Sequence, residues 1–194
     1  MPRVLVICHN PTSQGNIVWE GHEIVGYVDI LPRGRIAPNA PYYQGWDSIP
    51  ADLVGTVDIG LALHCPVVET LQGKVRTFDV EELRIGTNVV KITITNDIFR
   101  RGFSYLKPGG YMLFANIETE LVDKVKTSPV FQSEFGAENI ESIGAIPAIT
   151  QLNVRNRIQF DRIPFMKITK RVAGGRRRKT RRARRSKKTL RRRR

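Results

Sequence analysis

The stretch from Ile98 to Phe114 constrains the fold more than any other part of the chain. It reads Ile-Phe-Arg-Arg-Gly-Phe-Ser-Tyr-Leu-Lys-Pro-Gly-Gly-Tyr-Met-Leu-Phe. Ile98, Phe99, Phe103 and Leu106 recur at helical spacing with Arg100, Arg101 and Lys107 between them, which predicts an amphipathic helix. Lys107 falls in the last predicted turn, where a cation complements the helix dipole. Pro108 cannot continue a helix, and Gly109-Gly110 accepts left-handed backbone angles. Tyr111 to Phe114 is then an apolar run of buried-strand length. Helix, sharp stop and strand in one short segment predict an α/β unit.

The rest of the chain alternates in the same way. Val4 to Ile7 is an unbroken apolar run, as in a strand buried on both faces. His9 to Asn16 is a string of turn formers, after which Ile17 to Trp19 allows one helical turn at most. Further strands are expected at Glu23–Ile30, from Tyr42-Tyr43, and at Val57–Leu63, with a Pro/Gly-rich loop from Pro32 to Pro41. Val67–Gly73 and Phe78–Leu83 have helical leanings. Val89–Thr95 reads either as a strand or as the start of the long helix. Thr119–Val125 predicts a helix, and Ile140–Ile149 and Ile158–Ile168 predict strands, with Pro164 at an edge or bulge. Strands alternating with helical segments imply a parallel sheet with helices packed on it.

The net charge of +14 is unevenly placed. Residues 171–194 carry fifteen of the thirty-two Lys and Arg and no acid, leaving seventeen basic against eighteen acidic residues elsewhere. Two regions follow: an α/β domain over residues 1–170 and a basic tail over 171–194. The tail has almost no apolar side chains to offset its ordering entropy, so it is expected to be disordered when free. Its natural partner is a polyanion, because guanidinium groups pair bidentately with phosphate and released counterions drive binding. Arg176, Arg177, Arg178, Lys179, Arg181, Arg182, Arg184 and Arg185 form its densest run and are the candidate nucleic-acid contacts. A nuclear address or a solubilising role is the simpler alternative. Tails of this composition also resemble those on proteins packaged by large DNA viruses.

Two cysteines make no disulfide framework and suggest a reducing compartment. No apolar run approaches membrane-spanning length, and the N-terminus lacks a signal-peptide core. The expectation is a soluble, intracellular protein with no membrane partner, nuclear or virion-associated if the tail acts as an address.

Several landmarks, in order, resemble class I S-adenosylmethionine-dependent methyltransferases over roughly residues 1–120. Asp29 matches the acid that binds the cofactor ribose. Gly45-Trp-Asp47-Ser-Ile-Pro50 looks like the segment whose acid lies beside the adenine. Val57-Asp58-Ile59 resembles the opening of the fourth strand, and Leu106-Lys-Pro-Gly-Gly110 resembles the segment before the fifth. The resemblance implies a Rossmann-like, mostly parallel sheet with helices on both faces, S-adenosylmethionine as cofactor, and methyl transfer to nucleic acid or protein. By the same token His9, Asn10 and Gly15, after the first strand, would face the cofactor. There the family carries a Gly-x-Gly-x-Gly loop, whereas this chain has His9-Asn-Pro-Thr-Ser-Gln-Gly15. That departure keeps a second reading alongside the first: a catalytically inactive protein of this fold, acting as a nucleic-acid-binding structural or virion component.

Each candidate also has a plainer role. Asp29 suits a strand-ending turn, Asp47 an N-cap or Asx turn, and Asp58 a structural place at the start of a strand. His64, at the end of the fourth strand, is the candidate base near a methyl acceptor. In a doubly wound sheet the first and fourth strands are neighbours, so Cys8-His9 and His64-Cys65 would be expected to end side by side. Successive strand residues point to opposite faces, however, so no zinc site is assigned to them.

Overall fold

A computed structural model describes residues 1–63, 68–70, 81–85, 88–92, 97–152 and 157–172. In chain order the elements are β1 (Arg3–Ile7), α1 (Pro11–Gln14), β2 (Asn16–Trp19), β3 (Glu23–Asp29), β4 (Tyr42–Gln44) and β5 (Val57–Ala62). Next come β6 (Val68–Thr70), β7 (Glu81–Ile85), β8 (Asn88–Ile92), α2 (Asp97–Tyr105) and β9 (Leu106–Ala115). The last are α3 (Thr119–Thr127), α4 (Pro129–Glu134), β10 (Ile140–Ile143), β11 (Ile149–Leu152), β12 (Arg157–Gln159) and β13 (Phe165–Thr169). Among the described residues no helix is long and apolar enough to cross a membrane.

The central sheet has seven strands in the order β10-β13-β9-β5-β1-β3-β4. β4, β3, β1, β5 and β9 run parallel, and β13 is antiparallel to both its neighbours, β9 and β10. The α/β architecture expected from the sequence is therefore present, with β1 at the point where the strand order turns back. Its uninterrupted Val4-Leu5-Val6-Ile7 is buried on both faces, as a central strand requires.

The two faces are covered differently. Leu5, Ile7, Met112, Phe114, Met166 and Ile168 pack against Tyr105 of α2, Leu121, Val122 and Val125 of α3, and Phe131 of α4. On the other face Val4, Val6, Ile59, Leu61, Leu113 and Phe165 pack against Ile17, Trp19 and Ile149. These last three belong to a second, three-stranded sheet of order β12-β11-β2. Among the described residues the expectation of helices on both faces is thus corrected: one face carries α2, α3 and α4, and the other carries a sheet. Ile17-Val18-Trp19 is too short and too β-prone for a helix and pairs antiparallel with Ile149–Leu152, far away in sequence.

Other segments also depart from expectation. Val68–Thr70 and Glu81–Leu83 are strand, and Asn88–Ile92 is strand rather than the start of α2; together these segments form a small antiparallel sheet of order β6-β8-β7. The two long strands expected at the end of the domain each split, giving β10 and β11 around Gly144–Pro147, and β12 and β13 around Asp161–Pro164.

The segment Lys107-Pro-Gly-Gly110 is likewise not a helix end. β9 begins at Leu106, directly after α2, and Val57 pairs with Leu106 while Ile59 pairs with Tyr111. One residue of β5, Asp58, therefore opposes four residues of β9 in an enlarged bulge. Pro108, which has no N–H for a ladder, sits where the ladder is interrupted. Gly109 takes φ +79°, and a Cβ on Gly110 would come within 2.8 Å of the Asp58 carbonyl oxygen. Lys107 forms an ion pair with Asp58 instead of capping α2.

Candidate functional site

The candidate site lies at the carboxyl ends of β1 and β3, beside the point where the strand order turns back. Cys8 leaves β1 with a left-handed φ of 53° while its N–H stays bonded to the Val28 carbonyl at 2.8 Å. The next residues are the polar ones the sequence singled out, and they are buried. His9 is 0%, Asn10 1% and Thr12 0% exposed.

Local chemistry explains the turn. Asn10 caps α1, its Oδ1 accepting the Thr12 N–H at 3.0 Å and the Thr12 hydroxyl at 2.6 Å, and Pro11 follows in the first turn. The Asn10 N–H donates to Gln14 Oε1 at 2.8 Å, and Gly15, at φ 104°, closes the turn with its N–H on the Pro11 carbonyl. His9 Nε2 lies 2.6 Å from the Gly15 carbonyl oxygen, which can only accept, so this nitrogen carries the proton. From β11, Gln151 Nε2 donates to the Gln14 carbonyl at 2.7 Å. His9, Asn10 and Gly15 are thus brought together, holding one compact loop.

The segment after β3 closes over that loop. Asn10 Nδ2 donates to the Pro32 carbonyl at 2.8 Å, the Gly34 N–H donates to the Thr12 hydroxyl, and the Ile36 N–H donates to the Thr12 carbonyl at 2.7 Å. The fit is close enough that a Cβ on Gly34 would stand 2.4 Å from the Thr12 carbonyl oxygen. Asn16 and Asn39 continue the closure, with Asn16 Nδ2 on the Ala37 carbonyl and the Asn39 N–H on Asn16 Oδ1, each at 3.0 Å. Below them the Tyr27 hydroxyl donates to Asn39 Oδ1 at 2.7 Å and accepts the Ile17 N–H at 2.9 Å. Burial pushes the Tyr27 phenol up to about 12, against the opposing pull of its bonds to Ile17 and Asn39.

Asp29 ends β3 in the plainer of its two roles: Oδ1 accepts the Leu31 N–H at 3.0 Å in an Asx turn. Asp47 leaves the same sheet edge, where the Gly45 N–H reaches the Asp29 carbonyl at 2.7 Å. Its carboxylate, 95% exposed, bonds Arg101 of α2 at 2.7 Å rather than joining the loop after β1. Asp58 is at the opposite, amino end of the sheet and accepts the Arg3 N–H at 2.9 Å. Burial raises its pKa. The Arg3 N–H, the Lys107 ammonium and the Arg3 charge outweigh that and hold the carboxyl below its usual range. His64 and the tail residues Arg176, Arg177, Arg178, Lys179, Arg181, Arg182, Arg184 and Arg185 lie outside the described residues.

A cofactor binding here by backbone approach needs a reachable loop after β1. The described loop keeps His9, Asn10 and Thr12 covered, and Pro32, Gly34 and Ile36 hydrogen-bond to it. As arranged, these residues do not fit S-adenosylmethionine.

Sequence reasoning passed over Thr12, Tyr27, Gly34, Asn39 and Gln151. Only the Pro/Gly-rich composition of residues 32–41 hinted that this loop could pack closely. A further correction concerns the thiols. Cys8 is disulfide-bonded, which departs from the expectation that the two cysteines make no disulfide framework. Compared with models of known protein families, the sequence matches none. Compared with curated proteins, it likewise matches none.

Proposed function

We propose that the chain is a methyltransferase-like protein held on nucleic acid by its basic tail, serving there as a structural or virion component and transferring no methyl group. The strand order supports the first part. Counting only the strands of the large sheet, the five parallel ones stand in the order 3-2-1-4-5, that of a doubly wound, Rossmann-like sheet. The observation that carries the second part is the closed carboxyl end of β1, where His9, Asn10 and Thr12 are covered and bonded to the segment after β3. The tail supplies affinity through charge, with fifteen basic residues and no acid over residues 171–194.

A second reading is favoured by a separate observation. Asp29 and Asp47 both leave the carboxyl edge of the sheet, where ribose and adenine would be held in a S-adenosylmethionine-dependent enzyme, with His64 as the base near the acceptor. Incubating the full chain with radiolabelled S-adenosylmethionine and duplex DNA or RNA separates the two. The structural reading expects nucleic acid to be retained without label entering nucleic acid or protein. Stoichiometric or catalytic labelling would establish the enzyme reading instead.

A further inference from the structure

We propose, resting on the nucleic-acid reading of the tail, that Arg33 and Arg35 form a second, fixed contact for the phosphodiester backbone of duplex DNA, carried by the domain itself. Both are exposed, in the segment after β3. The backbone around them is tied down at alternate residues. The Pro32 carbonyl accepts from Asn10 Nδ2 at 2.8 Å, the Gly34 N–H donates to the Thr12 hydroxyl, and the Ile36 N–H donates to the Thr12 carbonyl at 2.7 Å. Just before them, the Leu31 carbonyl accepts the Tyr42 hydroxyl and the Leu31 N–H donates to Asp29 at 3.0 Å. The anchors Asn10 and Thr12 are buried. Arg33 and Arg35 stand between the tied positions, and among the described residues neither guanidinium has a hydrogen-bond or ion-pair partner.

Excess charge does not account for this pair, because outside the tail seventeen basic residues face eighteen acidic ones. The acid nearest in sequence, Asp29, has one carboxylate oxygen engaged by the Leu31 N–H. Guanidinium groups pair bidentately with phosphate. No more than ~7 Å of extended chain separates the two Cα atoms. Phosphates succeed one another every ~3.4 Å along a strand of duplex, so both side chains reach one strand together. Since the backbone is already ordered, binding costs only the freedom of two side chains. Ile30 and Leu31, 80% and 48% exposed, head the same segment, and a partner seated on the arginines covers them as well. Two contacts are too few to hold the chain alone. The tail, with fifteen basic residues, remains the tether, and the loop fixes how the domain sits on the duplex.

Anisotropy titration of a short fluorescein-labelled DNA duplex with the full chain, from about 50 to 200 mM salt, tests the contact. For Arg33→Ser/Arg35→Ser the slope of log affinity against log salt should become shallower by ~1.8, which is two contacts at ~0.9 each. Affinity at about 100 mM salt should drop roughly 10- to 60-fold. Both positions are exposed, so this variant should melt with the wild type. Arg33→Lys/Arg35→Lys keeps the two charges and should keep the wild-type slope. Lys124→Ser/Lys126→Ser removes as much charge from the last turn of α3 and should keep it too. A wild-type slope in the loop serine variant, or an equal loss in the α3 variant, would overturn the loop contact while leaving the tail as tether. A wild-type chain that retains no duplex would remove tail and loop together. Loss of phosphatidylserine-vesicle binding in the loop serine variant, with its DNA slope unchanged, would assign the segment to a membrane surface and overturn the DNA contact.

Discussion

At the scale of single residues, the closure depends on a few side chains that each satisfy several backbone groups. Tyr27 is the clearest case, since its hydroxyl joins Asn39 to the Ile17 N–H beneath the loop. Tyr27→Phe leaves a buried N–H unpaired and should cost ~1–3 kcal/mol in denaturant unfolding. It should also change the alkaline limb of the stability curve. A phenol at about 12 in the folded chain against 10.0 ordinarily contributes stability that is complete below pH ~10 and lost as pH rises through 12. Melting measured from about pH 9 to 12 should fall for the wild type and fall less for Tyr27→Phe. Gly34 is limited by space. Its missing Cβ is what lets the segment after β3 reach Thr12, so Gly34→Ala should push the two apart. A loss of ~1–3 kcal/mol is expected, with faster amide exchange at Ile36. Unchanged exchange there would mean that the close approach is not needed for closure.

Among elements, β9 and its bulge show best what the sequence made legible. Tyr111 to Phe114 declared a buried strand through its apolar run, and α2 declared itself through periodicity. Lys107-Pro-Gly-Gly110 was misleading because a helix stop and a strand bulge call for the same residues: a proline without an N–H and glycines free of Cβ clashes. What distinguishes them is Asp58 across the sheet, a partner 49 positions from Lys107 that local pattern cannot supply. β2 was missed for the same reason, since its pairing strand β11 lies near the other end of the domain. At the site, Asn10, Gly15 and Asp29 were legible as turn residues. Their closure by Thr12 and Gly34 was not, because hydrogen bonds between two polar loops leave no periodic trace. The bulge makes a prediction of its own. Asp58, held below the usual carboxyl range, contributes stability that is present above the ordinary pKa near ~3.9 and lost as pH falls through the lowered value. Asp58→Asn should therefore melt lower than wild type at neutral pH, and the gap should shrink below pH ~4. A gap that stays constant with pH would remove Asp58 from the account.

For the whole molecule, a near-neutral domain is joined to a strongly basic tail. If the tail is the tether, deleting residues 171–194 should abolish DNA retention. In the intact chain, affinity should drop by roughly 10³-fold or more between about 50 and 200 mM salt for six or more phosphate contacts. Retention that survives the deletion would move the contact onto the domain. The central proposal concerns the domain itself: that its carboxyl edge, with the loop after β1 bonded to the segment after β3, binds no S-adenosylmethionine. Calorimetric and thermal-shift titration of the full chain with S-adenosylmethionine tests this most directly. A ligand at ~100 times its Kd stabilises by ~2.7 kcal/mol, which is a melting shift of several degrees. The account predicts no saturable heat and no shift at about millimolar cofactor. Saturable one-to-one binding with a raised melting temperature would contradict it.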